Sequence, residues 1–138
     1  MREDGTLEPF AELATLPVPR AGHCTIIHNG RIMIIGGSGM NGQTQSIFGD
    51  SHSAPISADG AIGAWDEGPT LPVSVMHNTC TVHGDDVYVV GGRGFSGSTT
   101  TSLRAKIAAD GTLGAFETMP ELSPDRSHHQ AFIHGDTL

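Results

Sequence analysis

The sequence has 138 residues, room for one ordinary domain, of which 37% are hydrophobic, 5% aromatic and 16% charged, with 19 glycines. Low apolar content beside so much glycine, with the apolar residues gathered in short runs, points to many short strands and tight turns and excludes a disordered chain or long helices. Seven basic against fifteen acidic residues give a formal net charge of −8; the nearest approach to a basic stripe is Arg104 with Lys106, so nucleic acid and an anionic membrane are excluded as partners.

Met1-Arg2-Glu3-Asp4 lacks the apolar core of a signal peptide, and no apolar run approaches the roughly 18 residues of a membrane span. Two cysteines, Cys24 and Cys80, make no disulfide framework and fit a reducing compartment. A soluble, cytoplasmic protein is expected.

The chain opens with Asp4-Gly5, a tight turn, and a strand from Thr6 to Phe10; Pro17 lies in the connection that follows. Thr25 to His28 reads as a strand, and Asn29-Gly30 as a two-residue hairpin turn whose central residues tolerate positive φ. Ile32 to Ile35 is a continuous apolar run of the kind covered on both faces, ended by Gly36-Gly37 where a side chain would obstruct neighbouring backbone. A polar stretch, Ser38 to Ser46, reads as a variable loop. Ser53 to Ser57 is a third strand, and Asp59-Gly60 turns into a fourth that ends near Trp65.

After a connection holding Pro72 the series repeats. Thr79 to His83 leads through Gly84-Asp85 to Val87-Tyr88-Val89-Val90 and Gly91-Gly92. The loop is now Gly94 to Thr101, the third strand Ser102 to Ala108, the turn Asp110-Gly111 and the fourth strand ends near Phe116, with Pro120 beyond. A third copy supplies first and second strands from Gln130 to Leu138. The register holds without a gap from Asp4, Asp59 and Asp110: an aromatic (Phe10, Trp65, Phe116), a leucine (Leu16, Leu71, Leu122) and a histidine (His28, His83, His134) recur at fixed offsets. Only the stretch from the double glycine to the next Asp-Gly changes length, being longer in the first copy than in the second.

Four antiparallel strands recurring about every fifty residues make the blade of a propeller. The sequence also resembles the kelch family: Pro19-Arg20-Ala21-Gly22-His23, Val87-Tyr88-Val89-Val90-Gly91-Gly92 and Trp65 match that family's elements. Single copies depart from it, with Met33 for the Tyr, Val75 for the Arg, Asn78 for the His, and Phe10 and Phe116 for the Trp. The expected fold is therefore all-β, a β-propeller of kelch-type four-stranded antiparallel blades. About two full blades carry partial blade strands at each end. Residues 1–20 hold a fourth strand and connection, 21–67 and 76–118 the blades, and 128–138 the first strands of the next. Two blades do not close a ring, so the ring is expected to be completed by a longer chain or by oligomerisation, with a dimer giving six blades.

A binding module with protein partners is expected, and the incomplete ring points to a homo-oligomer. The resemblance implies that Arg20 and Arg126, with His23 and His129 three residues on, lie near one mouth of the channel, which makes them the candidate ligand-binding residues. A structural role, bonding connecting-loop carbonyls, competes for the same residues. His28, His83 and His134 are read as packing or hydrogen-bonding at the first hairpin rather than as ligands of one ion. No metal site, catalytic residue or cofactor is predicted. Cys24 and Cys80 lie one register apart, facing opposite sides of the equivalent strand, which argues against a disulfide; each reads as a small core residue.

Two alternatives stand beside binding. One is a propeller enzyme, sialic acid mutarotase-like or galactose oxidase-like, using the channel. The oxidases need two tyrosines, whereas this chain has only Tyr88, and no mutarotase motif is matched. The other is an inactive propeller fragment.

Overall fold

The computed structural model describes residue 6, residues 12–135, and residues 137 and 138. The turn at Asp4-Gly5, Phe10 and the strand expected from Thr6 to Phe10 lie outside the described residues, Thr6 apart. Twelve strands run β1 (Cys24–His28), β2 (Arg31–Ile35), β3 (Ser38–Asn41), β4 (Thr44–Ile47), β5 (Ser51–Pro55), β6 (Asp66–Glu67), β7 (Thr79–His83), β8 (Asp86–Val90), β9 (Arg93–Gly94), β10 (Gly97–Ser98), β11 (Ser102–Lys106) and β12 (Glu117–Thr118). There is no helix among the described residues, and all pairing is antiparallel.

The strands form two four-stranded sheets of one design, β1-β2-β5-β6 and β7-β8-β11-β12. The first hairpin of each closes as the sequence dictates. Asn29 and Gly30 have φ of 46° and 71°, and His28 faces Arg31 across the turn. His83 faces Asp86 across Gly84-Asp85. In the third copy His134 bridges Thr137, the pair equivalent to His28 with Arg31.

Several boundaries differ from the sequence reading. The third strand of the second sheet ends at Lys106, short of Ala108, and the two strands expected from Gln130 to Leu138 are reduced, among the described residues, to the His134–Thr137 bridge. The third strand of the first sheet is Ser51–Pro55, because it pairs residue for residue with Arg31–Ile35; the residues after it are used up in the Asp-Gly turn, where Ile56 bridges Ile62. The fourth strands are only two residues long and begin just after Trp65 and Phe116, and the Trp65 indole donates instead to the Ala14 carbonyl at 3.3 Å. The polar stretches expected as loops are hairpins, β3–β4 and β9–β10. Their Gly, Ser and Thr content carries no alternating apolar signal, and apart from the buried Ile47 their described side chains are exposed or half-buried.

The core lies between the two sheets. Cys24 and Ile26 of β1 and Met33 and Ile35 of β2 form one cluster with Val87 and Val89 of β8 and Leu103 and Ala105 of β11. Alternate residues of β1, Thr25 and Ile27, face the other way and are exposed. Burying each Ile, Met, Val or Leu side chain of this cluster is worth roughly 1.5–3 kcal/mol, so the contact between consecutive repeats contributes substantially to stability.

The double glycines serve that contact. Gly36 and Gly37 both take positive φ, 67° and 100°, and Gly37 N–H donates to the Val75 carbonyl at 2.8 Å. A Cβ on Gly36 would lie 2.5 Å from that carbonyl oxygen. Gly91 and Gly92 repeat the device against Arg126, with Gly92 N–H bonding its carbonyl at 2.8 Å. Each double glycine is thus the seat for the segment leading into the next repeat.

The cysteines require a correction: Cys24 and Cys80 are joined by a disulfide, their Cα atoms 5.7 Å apart. The two positions do face opposite ways on equivalent strands, as the register implies. Adjacent sheets, however, present opposite faces to each other, so the face of β1 bearing Cys24 meets the face of β7 bearing Cys80. The strand alternation that argued against the bond is what places the sulfurs together.

Candidate functional site

The segments leading into β1, into β7 and into the third copy run side by side at one end of the sheets. Gly22, His77 and His128 are equivalent in the repeat and all have positive φ. They form a backbone ladder across the repeats: His77 N–H donates to the Gly22 carbonyl at 2.6 Å, and His128 N–H to the His77 carbonyl at 3.0 Å. The His77 and His128 rings stack with centroids 3.8 Å apart, and a Cβ on Gly22 would meet the His77 ring at 2.7 Å. Ser127 Oγ lies 3.1 Å from His128 Nδ1 and 3.2 Å from Ser98 Oγ on β10, tying the ladder to a projecting hairpin.

One residue further along come His23, Asn78 and His129, again equivalent. His23 and Asn78 line a cleft of about 310 Å³ with Thr25, Thr79, Cys80 and Gln130. His129, Arg126 and Gln130 line a neighbouring cleft of about 370 Å³. Asn78 is 7% exposed, yet neither its amide nitrogen nor its oxygen has a hydrogen-bond partner among the described residues. His23 Nδ1 and both ring nitrogens of His129 are in the same condition. Buried polar atoms are satisfied in the great majority of cases; His52 Nδ1 and Asp86 Oδ1 are orphaned elsewhere, but only here do the orphans fall on equivalent positions of three repeats.

Burial and nearby charges disfavour the protonated form of these rings. Burial, and then the Arg20 charge, lowers the pKa of His23 below the ordinary imidazole value. Burial and Arg126 do the same to His129, and burial, His128 and Arg93 to His77. A neutral imidazole offers one donor and one acceptor, as the Asn78 amide also offers both kinds.

The four residues singled out from the sequence fall into two groups. Arg20 is fully buried along its side chain and commits its guanidinium to Asp50, Nη1 at 2.6 Å and Nη2 at 3.0 Å, with further bonds to the Val18 and Gly36 carbonyls. It also lies 4.6 Å from the centre of the Phe48 ring. Burial acts to raise the pKa of Asp50, but hydrogen bonds from Arg20 and His52 outweigh it and hold the carboxyl below its usual value. In the second repeat Val75 and Thr101 stand at the corresponding positions, and Val75 is fully buried. Arg126 donates to the Pro124 carbonyl at 3.5 Å and makes no ion pair among the described residues. His23 and His129 line the clefts. Arg20 braces the segment on which His23 stands.

Sequence reasoning missed Asn78 and the stacked pair His77–His128. The repeat register held the signal for Asn78, which occupies the position of His23 and His129, but its change of residue type masked it. His28 is at the other end of β1, 3.0 Å from Asp85 of the neighbouring repeat. Among the described residues no group of three or more His, Cys, Asp or Glu side chains is arranged to hold a metal ion.

No family model matches the chain. Over 90 residues it is 30% identical to a kelch repeat-containing protein of Arabidopsis thaliana. The chain is kelch-like. The match takes in 65% of the chain but 21% of the plant protein, so this kelch-like chain spans about a fifth of that relative's length. Its repeated four-stranded sheets and its double glycines agree with the resemblance.

Proposed function

We propose that this kelch-like chain is part of a β-propeller that acts as a binding module, with recognition at the end where the lead-in segments converge. The observation that carries the reading is Asn78, buried with both amide atoms unpartnered, flanked by its equivalents His23 and His129. Arg126 supplies a cation at the rim, and Arg20 supports His23 through its bond to Asp50. The hairpins β3–β4 and β9–β10 differ in length while the sheets below keep register, as expected when recognition is grafted onto a fixed scaffold. Ligands of matching chemistry are polypeptide segments, whose backbone amides and carbonyls complement neutral imidazoles and a carboxamide.

The ring is completed by further sheets of the same kind, from a longer chain or from a second copy. Support comes from apolar side chains on the outward faces: Ile27 on the far side of β1 is 66% exposed, and Phe132 in the third copy is 78% exposed. Phe132 is the equivalent of Ile26, which is buried between the two sheets.

Panning a random peptide library against the 138-residue chain tests the binding reading. Enriched peptides are expected to bind the wild type and to lose about ten-fold or more in affinity to Asn78→Ala and His129→Ala, the scale of one lost buried hydrogen-bonding site. Absence of enrichment, or affinities untouched by both substitutions, would overturn it. Light scattering reports which route completes the ring: a mass of two chains supports closure by a second copy, and a monomer supports a longer chain.

A further inference from the structure

The disulfide bears on the same cleft. Cys24 opens β1 and Cys80 is the second residue of β7, so the bond ties together the first strands of two sheets, each at a sheet edge. It is no feature of the repeat: Thr79 stands where Cys24 would recur, and Thr25 where Cys80 would. The Cα separation of 5.7 Å is the ordinary one for a disulfide. Both cysteines line the cleft that holds His23 and Asn78, and each is within two residues of one of those side chains. Cys24 is buried, whereas Cys80 is only partly so.

We infer that the Cys24–Cys80 bond is a reducible tether that fixes the spacing of His23 and Asn78 across the cleft, so that thiol redox state regulates binding there. The inference rests on the binding reading above. The chemistry is exchange with a dithiol reductant, a small molecule or a protein. Its thiolate attacks the more accessible Cys80 sulfur, the S–S bond breaks and Cys24 leaves as thiolate. The second thiol of the reductant then displaces Cys80 from the mixed disulfide. Two protons and two electrons pass to the chain, which gains two thiols while the reductant becomes a disulfide. The sheets stay together through the apolar cluster. What is lost is the covalent limit on how far β1 and β7 can part beneath the two polar side chains.

The test uses the 138-residue chain and a peptide selected by the panning above. Alkylation and mass spectrometry without reductant are expected to find no free thiol and a cross-linked peptide pair containing Cys24 and Cys80. Dithiothreitol is expected to add two alkylation sites, to speed amide exchange in β1 and β7, and to change peptide affinity by about five-fold or more, the lower range of site-to-site coupling. The double variant Cys24→Ser/Cys80→Ser should behave as the reduced chain and no longer respond to dithiothreitol; the reduced wild type gives the same comparison if that variant does not fold. Free thiols before reduction, or equal affinity in both states, would overturn the inference alone. No peptide binding in either state would instead overturn the binding reading, and the regulation with it.

Discussion

Arg20 and Asp50 show how one side-chain pair divides the repeats. A buried guanidinium held by a carboxylate is a poor source of net stability but a costly thing to break, since the charge left behind is unpaired. Asp50→Asn is therefore expected to destabilise the chain by about 3 kcal/mol, the low end for a buried pair because Asp50 is 39% exposed. Arg20→Val with Asp50→Thr, which copies Val75 and Thr101, should cost clearly less than Asp50→Asn alone. Urea denaturation of the three proteins checks this, and a double variant at least as unstable as Asp50→Asn would contradict it. The histidines give a second outcome at this scale. His23, His77 and His129 all have pKa values lowered from 6.5, and the charged groups facing them, Arg20, His128, Arg93 and Arg126, act in one direction. As pH falls below 6.5 the unfolded chain takes up protons that the folded chain resists, so stability is full above that value and declines beneath it. Melting curves between about pH 8 and pH 5 should show the fall. Replacing His77 by Asn should make it shallower, whereas an unchanged slope would remove His77 from the account.

At the scale of elements, the double glycine and the hairpin glycine separate two reasons for the same residue. Gly30 has positive φ, but a Cβ there would meet nothing within 4 Å. Gly36 has positive φ and a carbonyl in the way. Gly30→Ala should cost about 1 kcal/mol from the left-handed backbone alone. Gly36→Ala should cost more and loosen the contact with the second repeat, seen as faster amide exchange at Val75 to Asn78; equal costs would contradict the seat that Gly36-Gly37 provides. The sequence announced both sites through turn chemistry and recurrence, because hairpins are local. It showed that Gly36-Gly37 needed glycine but not what approaches it, because Val75 belongs to the next repeat. The hairpins β3–β4 and β9–β10 were illegible for a related reason: their residues bury little, so no apolar alternation records them. The disulfide was misread by reasoning within one strand about a contact made between two.

The whole molecule is an array in which each sheet covers the apolar face of its neighbour and seats the neighbour's lead-in segment. That arrangement brings His23, Asn78 and His129 into line, and it also leaves Ile27 and Phe132 exposed on outward faces. The repeat makes the array legible in the sequence itself, since one four-stranded unit has nowhere to bury its own face. The convergence of the polar residues was legible only in part, because register says which residues are equivalent but not which way the lead-in segments turn. Left-handed backbone at His77 and His128 decides that, and nothing in those residue types announces it. Methyl NOE spectroscopy tests the face-to-face packing of the repeats most directly. Cross-peaks linking Met33 and Ile35 to Val87, Val89 and Leu103 are expected. Cross-peaks confined within each repeat would contradict the packing, and with it the candidate site.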